Sequence, residues 1–117
     1  MIYLIALMLL NVSAMAQNTP PKREFRGAWI QAINGQFKGK YTAEMQQMLT
    51  QQLDALQAAR INAIIFQVRP EADALYVSSI EPWSRYLTGV QGQAPNPYWD
   101  PMAWTIEQGH QRHMEIH

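Results

Sequence analysis

No cysteine occurs among the 117 residues. That absence excludes a disulfide framework, a thiolate metal site and a cysteine nucleophile. It also leaves nothing of the kind that bacterial lipoproteins acylate. Charge of one sign is equally scarce, because nine basic and nine acidic residues cancel to a formal net charge of zero. Without a basic run there is no electrostatic footprint for nucleic acid and no polybasic patch for anionic lipid. Asn34-Gly35 with Gly39 has neither the spacing of G-x-G-x-x-G nor the Lys of a phosphate loop. No G-x-S-x-G elbow and no H-E-x-x-H is present. His110 and His113 lie three apart, and Glu107 with His110 imitates one arm of a di-iron site, but neither pair has further ligands nearby. No metal and no cofactor is expected.

What remains is an ordinary globular composition, 48% hydrophobic and 15% charged, at the length of one domain. Ile2 to Val12 is almost wholly apolar, and Ser13-Ala14-Met15-Ala16 then supplies small residues in an A-x-A arrangement. Residues 1–16 therefore read as a signal peptide, although no Lys or Arg precedes the apolar run. The run is too short for a comfortable membrane span. The expected product is extracytoplasmic, periplasmic or secreted, without stable membrane insertion after cleavage. Residues 17–24 are polar, contain Pro20-Pro21, and read as a tether.

Strand and helix signals alternate from there. Phe25 to Ile33 has strand character, broken by Asn34-Gly35. Thr42 to Ala59 reads as a helix with Thr42 as N-cap. Its apolar stripe is Met45, Met48, Leu49, Leu53, Leu56 and Ala59. Ala63 to Arg69 is a β-branched and aromatic run ended by Pro70, which suits a parallel strand covered on both faces. Glu71 to Trp99 is long, irregular and rich in aromatics. Asp100-Pro101 opens a second helix as N-cap and first helical residue, with Met102, Ala103, Ile106 and His110 at helical spacing. Met114 to His117 begins a third strand. The order predicts an α/β fold with a parallel sheet and right-handed crossovers. Three such strands with helices on one side leave a bare sheet face and an open edge. Residues 25–117 are thus expected to be the N-terminal part of a larger unit, either a (β/α)8 barrel or a doubly wound sheet.

Side chains alternate along a strand, so parity assigns faces. Ala28, Ile30 and Ala32 on the first strand should meet the helices, as should Ile64, Phe66 and Val68 on the second. Gly27, Trp29 and Gln31, and Ile65, Gln67 and Arg69, should point the other way, with polarity rising toward the carboxyl ends. His117 shares that parity on the third strand. In a barrel the carboxyl ends of the strands carry the site. Gln31, Gln67, Arg69 and His117 are therefore candidate site residues, although Gln67 and Arg69 could equally be satisfied polar groups bracing the sheet. The following loop adds Asp73 and Trp83 to the candidates. Aromatic rings flanked by carboxylates and arginine are what a sugar needs, since its flat CH faces stack on rings and its hydroxyls bond polar groups. The bland alternative is a self-packed loop whose aromatics form a satellite core.

Several of these runs coincide with one family. Phe25-Arg26-Gly27-Ala28-Trp29-Ile30, Asn62-Ala63-Ile64-Ile65-Phe66-Gln67-Val68-Arg69-Pro70, Asp73-Ala74-Leu75-Tyr76 and Glu81-Pro82-Trp83-Ser84 resemble the glycosyl hydrolase-like 10 family. So do Tyr86-Leu87-Thr88-Gly89, Gln91-Gly92 and Trp99-Asp100-Pro101. The resemblance covers roughly residues 22–117. It implies a (β/α)8 domain acting on glycosidic bonds of a complex glycan outside the cytoplasm, with peptidoglycan-type strands a candidate.

Such hydrolysis needs two carboxyl groups, one as acid and one as nucleophile or base. Asp73 and Glu81 lie in a loop rather than directly after a strand. The pair is therefore expected from later strands, while Arg69, Asp73 and Trp83 shape the sugar pocket. Two other readings remain at this point. One is a non-catalytic carbohydrate-binding protein on the same scaffold, and the other is a doubly wound domain unrelated to sugars.

Overall fold

Alternating apolar runs and a seventeen-residue amphipathic segment give an α/β fold built on a small parallel sheet. The computed structural model describes residues 23–117. The expected leader, residues 1–16, lies outside the described residues, as does all of the expected tether except Arg23 and Glu24. Strand β1 spans Gly27–Ile30, helix α1 Thr42–Ala58, strand β2 Ala63–Phe66, the short helix α2 Arg85–Thr88, helix α3 Pro101–Gln111 and strand β3 Glu115–Ile116. The sheet order is β1-β2-β3. Gly27 pairs with Ala63 and Ile30 with Phe66 on one side of β2, and Ala63 pairs with Glu115 on the other. Among the described residues no helix is long and apolar enough to cross a membrane.

Among the described residues one face of this sheet is covered by helix and the other is largely exposed. Ile30, Ala32, Ile64 and Phe66 are buried with Met45, Leu49 and Leu53 of α1, and Val68 and Ile116 are half-buried against them. Phe37, from the β1–α1 connection, meets Phe66 edge-on with ring centroids 6.4 Å apart and completes this core. On the opposite face Trp29 is 66% exposed, and Phe25 lies folded over Gly27. The parity of the strand residues thus matches the faces they take.

The strands are shorter than their apolar runs suggest. Past Ile30 and Phe66 the chains stay side by side, but the ladder changes hands. Gln67 N still donates to Ile30 O at 3.0 Å. Beyond it the Gln67 side chain, rather than a backbone carbonyl, accepts from Ala32 N and Ile33 N. Val68 O meanwhile accepts from Leu75 N at 2.9 Å, so the loop takes over as its partner.

The helices differ from expectation in detail. Tyr41, not Thr42, is the N-cap of α1, and no side chain caps it. Thr42 Oγ1 instead donates to Pro97 O at 2.6 Å, because a partner in the long loop is within its reach. Ala59 ends the helix as an exposed C-cap residue rather than extending its buried stripe. Helix α3 buries Pro101, Thr105 and Gly109, whereas Ala103 and His110 are exposed and Met102 and Ile106 only half-buried. A small face wins because the sheet comes close: a Cβ on Gly109 would stand 2.3 Å from Ile116 Cδ1. Thr105 Oγ1 satisfies itself within the helix, donating to Pro101 O at 2.7 Å.

Candidate functional site

Parallel strands send their connections out from the carboxyl ends, so residues 31–41 and 67–100 both rise from the same end of the sheet. The longer connection is well ordered by its own bonds. Ala74 and Trp83 form a short parallel bridge, with Ala74 N donating to Pro82 O and Ser84 N to Ala74 O. Ser78 Oγ accepts from Ile80 N and Glu81 N, which shapes the tip, and Ile80 there is 91% exposed. Ser84 caps α2 by accepting from Tyr86 N at 3.1 Å, and Gly89 ends that helix at φ +90°, where a side chain would be strained. Asp100 closes the excursion. One of its oxygens accepts from Ala103 N at 2.9 Å as the cap of α3, and the other accepts from Val77 N at 3.0 Å.

Within this frame each candidate residue has a definite place. Gln31 follows β1 and is exposed, with its carbonyl taken by the Gln36 side chain. Gln67 is occupied as a brace, its Oε1 3.0 Å from both amides of the β1 exit. Arg69 reaches the loop: its Nε lies 2.6 and 2.8 Å from the two Glu81 oxygens, and its terminal nitrogen also contacts Glu81. Tyr76 OH donates to the same carboxylate at 3.1 Å. Asp73 is fully buried, accepting from Glu71 N and from Gln91 Nε2, each at 3.2 Å. Trp83 is half-buried and meets the exposed Tyr98 edge-on at 5.9 Å. His117 lies apart from this group, beside Glu115 at 3.1 Å and edge-on to Phe25 at 6.2 Å.

A second ion pair runs alongside the first. Arg85 grips Glu71 with two bonds of 2.8 and 2.6 Å and lies 4.9 Å from the Tyr86 ring centroid. Hydrogen bonds from Arg69 hold the Glu81 carboxyl below its ordinary pKa, and those from Arg85 do the same for Glu71. Burial pushes the Tyr76 hydroxyl up, and its bond to Glu81 adds to this. Both glutamates are thus fixed as anions at neutral pH. They can accept bonds from hydroxyls but are poorly suited to protonate a leaving oxygen. Among the described residues no three His, Asp or Glu side chains gather where they could hold a metal ion.

Reading the sequence missed the pairing of Arg69 with Glu81 and of Arg85 with Glu71, as well as the role of Tyr76. Charges twelve and fourteen residues apart in an irregular segment carry no spacing rule. Helix α2 was also missed, because residues 71–99 were expected to be irregular throughout. The signal that could have found it is Ser84 and Gly89, a cap and a terminator at the two ends of one helical turn.

Comparison with known proteins adds an independent line. The family model described as Glycosyl hydrolase-like 10 matches residues 24–117. The chain is 40% identical over 118 residues to Glycosyl hydrolase YngK of Bacillus subtilis (strain 168), an alignment covering 97% of this chain and 22% of that protein. It is 42% identical over 72 residues to Glycosyl hydrolase DigH of Escherichia coli (strain K12), covering 62% of this chain and 16% of the relative. The chain therefore spans about a fifth of the length of the curated relatives it matches.

Proposed function

The chain belongs to the glycosyl hydrolase-like 10 family, and from that membership we propose that the whole protein hydrolyses O-glycosidic bonds of a complex glycan, of the peptidoglycan type, outside the cytoplasm. Its family and the names of its relatives support a glycoside hydrolase-type role. In this reading residues 25–117 are the opening part of a (β/α)8 barrel and contribute to its sugar-binding mouth. The leader at residues 1–16 directs export.

The observation that carries the proposal is the gathering of polar and aromatic groups at one end of the parallel sheet. Gln31 and Arg69 stand at the carboxyl ends of β1 and β2, and the loop over them holds Asp73, Trp83, Tyr98 and two arginine-bound glutamates. An arginine fixed by a carboxylate on one side keeps further N–H groups for a sugar hydroxyl. The exposed Tyr98 and half-buried Trp83 offer ring surface to a pyranose face. Gln67 acts indirectly, by holding the exit of β1 in place. His117 would line the barrel wall on the same face as Trp29.

The two glutamates are held ionised by arginine, and Asp73 is sealed from solvent, so the acid and its partner come from elsewhere in the protein. The test is kinetic, on the full-length protein. Arg69→Ala is expected to raise KM by about tenfold with a smaller effect on kcat, the size expected for losing a charged hydrogen bond to substrate. Asp73→Asn is expected to retain measurable turnover. Abolished turnover in a folded Asp73→Asn protein would place a catalytic carboxylate in this loop and overturn the assignment. The alternative, a carbohydrate-binding protein without catalysis on the same scaffold, predicts glycan binding with no new reducing ends.

A further inference from the structure

A cleft of about 200 Å³ lies between the two connections that leave the carboxyl ends of β1 and β2, away from Arg69 and its partners. Tyr41 and Lys40 form one wall, and Thr88, Gln93, Pro95 and Asn96 the other. The walls are tied together at two places. Gly39 N donates to Leu87 O at 3.1 Å, and Thr42 Oγ1 donates to Pro97 O at 2.6 Å. Pro95 is buried and anchors the second wall from beneath. The two walls are therefore fixed to each other by one backbone bond and by one bond from the Thr42 side chain to a loop carbonyl.

Its lining has the composition that a sugar ring requires. Tyr41 is 71% exposed, and its side chain takes no part in capping α1. The amides of Gln93 and Asn96 are exposed. Lys40 is held only loosely, 3.9 Å from Glu44. An aromatic face, two bidentate amides and an ammonium group can together take a ring's CH face and several of its hydroxyls. A largely apolar partner would leave these amides desolvated and unpaired.

We infer that the cleft walled by Tyr41 and Gln93 is an outer saccharide subsite, binding a sugar unit of a polymeric glycan several residues from the bond that is cut. This rests on the glycan reading above. Because both walls arise at the carboxyl end of the sheet, one extended chain can occupy the mouth and this cleft together. Binding energy from a remote unit then favours long chains over short ones.

The experiment uses the full-length protein with peptidoglycan-type oligomers of alternating N-acetylglucosamine and N-acetylmuramic acid, short and long, in titration calorimetry and in turnover assays. Tyr41→Ala and Gln93→Ala alter exposed side chains, and melting temperature checks that the fold is kept. Tyr41→Ala is expected to raise Kd and KM for the long oligomer about 2- to 10-fold, as loss of one ring contact implies, and to leave the short oligomer unchanged. An unchanged long-oligomer Kd in a folded variant, or an equal loss for the short one, overturns the subsite. Long-oligomer binding that depends on Tyr41 but yields no cleavage keeps the subsite and sinks the hydrolase reading. A wild-type protein that neither binds nor cleaves any oligomer overturns both.

Discussion

Arg69 and Arg85 each hold a glutamate whose carboxyl sits below its ordinary value of 4.5. A carboxyl with a depressed folded pKa stabilises the native state above its unfolded pKa, and that contribution disappears as pH falls through the folded value. The two pairs should therefore begin to lose their contribution below about pH 4.5 and lose more as acidity increases. Melting temperature followed from roughly pH 6 down to pH 3 should fall less steeply for Glu71→Gln combined with Glu81→Gln than for wild type. A double variant with the wild-type acid slope would show that neither pair matters to stability. The arginines are exposed and the glutamates partly so, which screens both pairs and should keep the effect smaller than that of a core change. None of this pairing could be foreseen in the sequence. Arg69 stood out because it ends an apolar run, but its partner is set by how the loop folds back at Ser78.

Elements were more legible than contacts. The stripe Met45, Leu49, Leu53 identified α1 and its buried face, because period 3.6 is a property of the sequence itself. Asp100-Pro101 identified the start of α3 for a similar reason, since cap and first-turn proline are local signals. The face of α3 was not legible. Apolarity pointed to Met102 and Ile106, yet close approach to Ile116 selects Gly109 and Thr105, and distance between elements is not written in one element's pattern. Thr42 misled in the same way, as its best partner was Pro97 rather than the helix it begins. Asp100 offers a test at this scale, because its two oxygens serve two elements. Asp100→Ala should cost about 1–2 kcal/mol by melting, combining a lost cap with an unpaired amide. Asp100→Asn can keep the bond to Ala103 N but lacks a second acceptor for Val77 N. It should therefore retain most of the stability while speeding hydrogen exchange at Val77. Equal losses in both variants would mean that the cap is not the dominant contribution.

Across the molecule the faces of the sheet matter most. Strand parity alone separated Ile30, Ile64 and Phe66 from Trp29, Gln31 and Arg69, and the parallel order followed from the alternation of helix and strand. A small parallel sheet is established, whereas its place in a closed barrel belongs to the proposal. The barrel predicts that the face bearing Trp29 is covered by the remaining strands. Trp29→Glu in the full-length protein should then bury an unpaired charge and destabilise it by several kcal/mol, seen as a large drop in melting temperature or loss of soluble protein. If the variant melts with the wild type, that face is open to water and the sheet does not close.

The loop tip at Ile80 bears on how such proteins diversify. Ser78 shapes the tip, while residues 74–84 are tied to the rest of the fold at Leu75, Val77, Glu81 and Trp83. Extra residues inserted at the exposed Ser79 would lengthen the tip into solvent at the cost of the Ser78 turn, leaving the ties at Leu75, Val77 and Trp83 in place. A lineage could thus remodel the outer contour of this segment while inheriting the same strands unaltered.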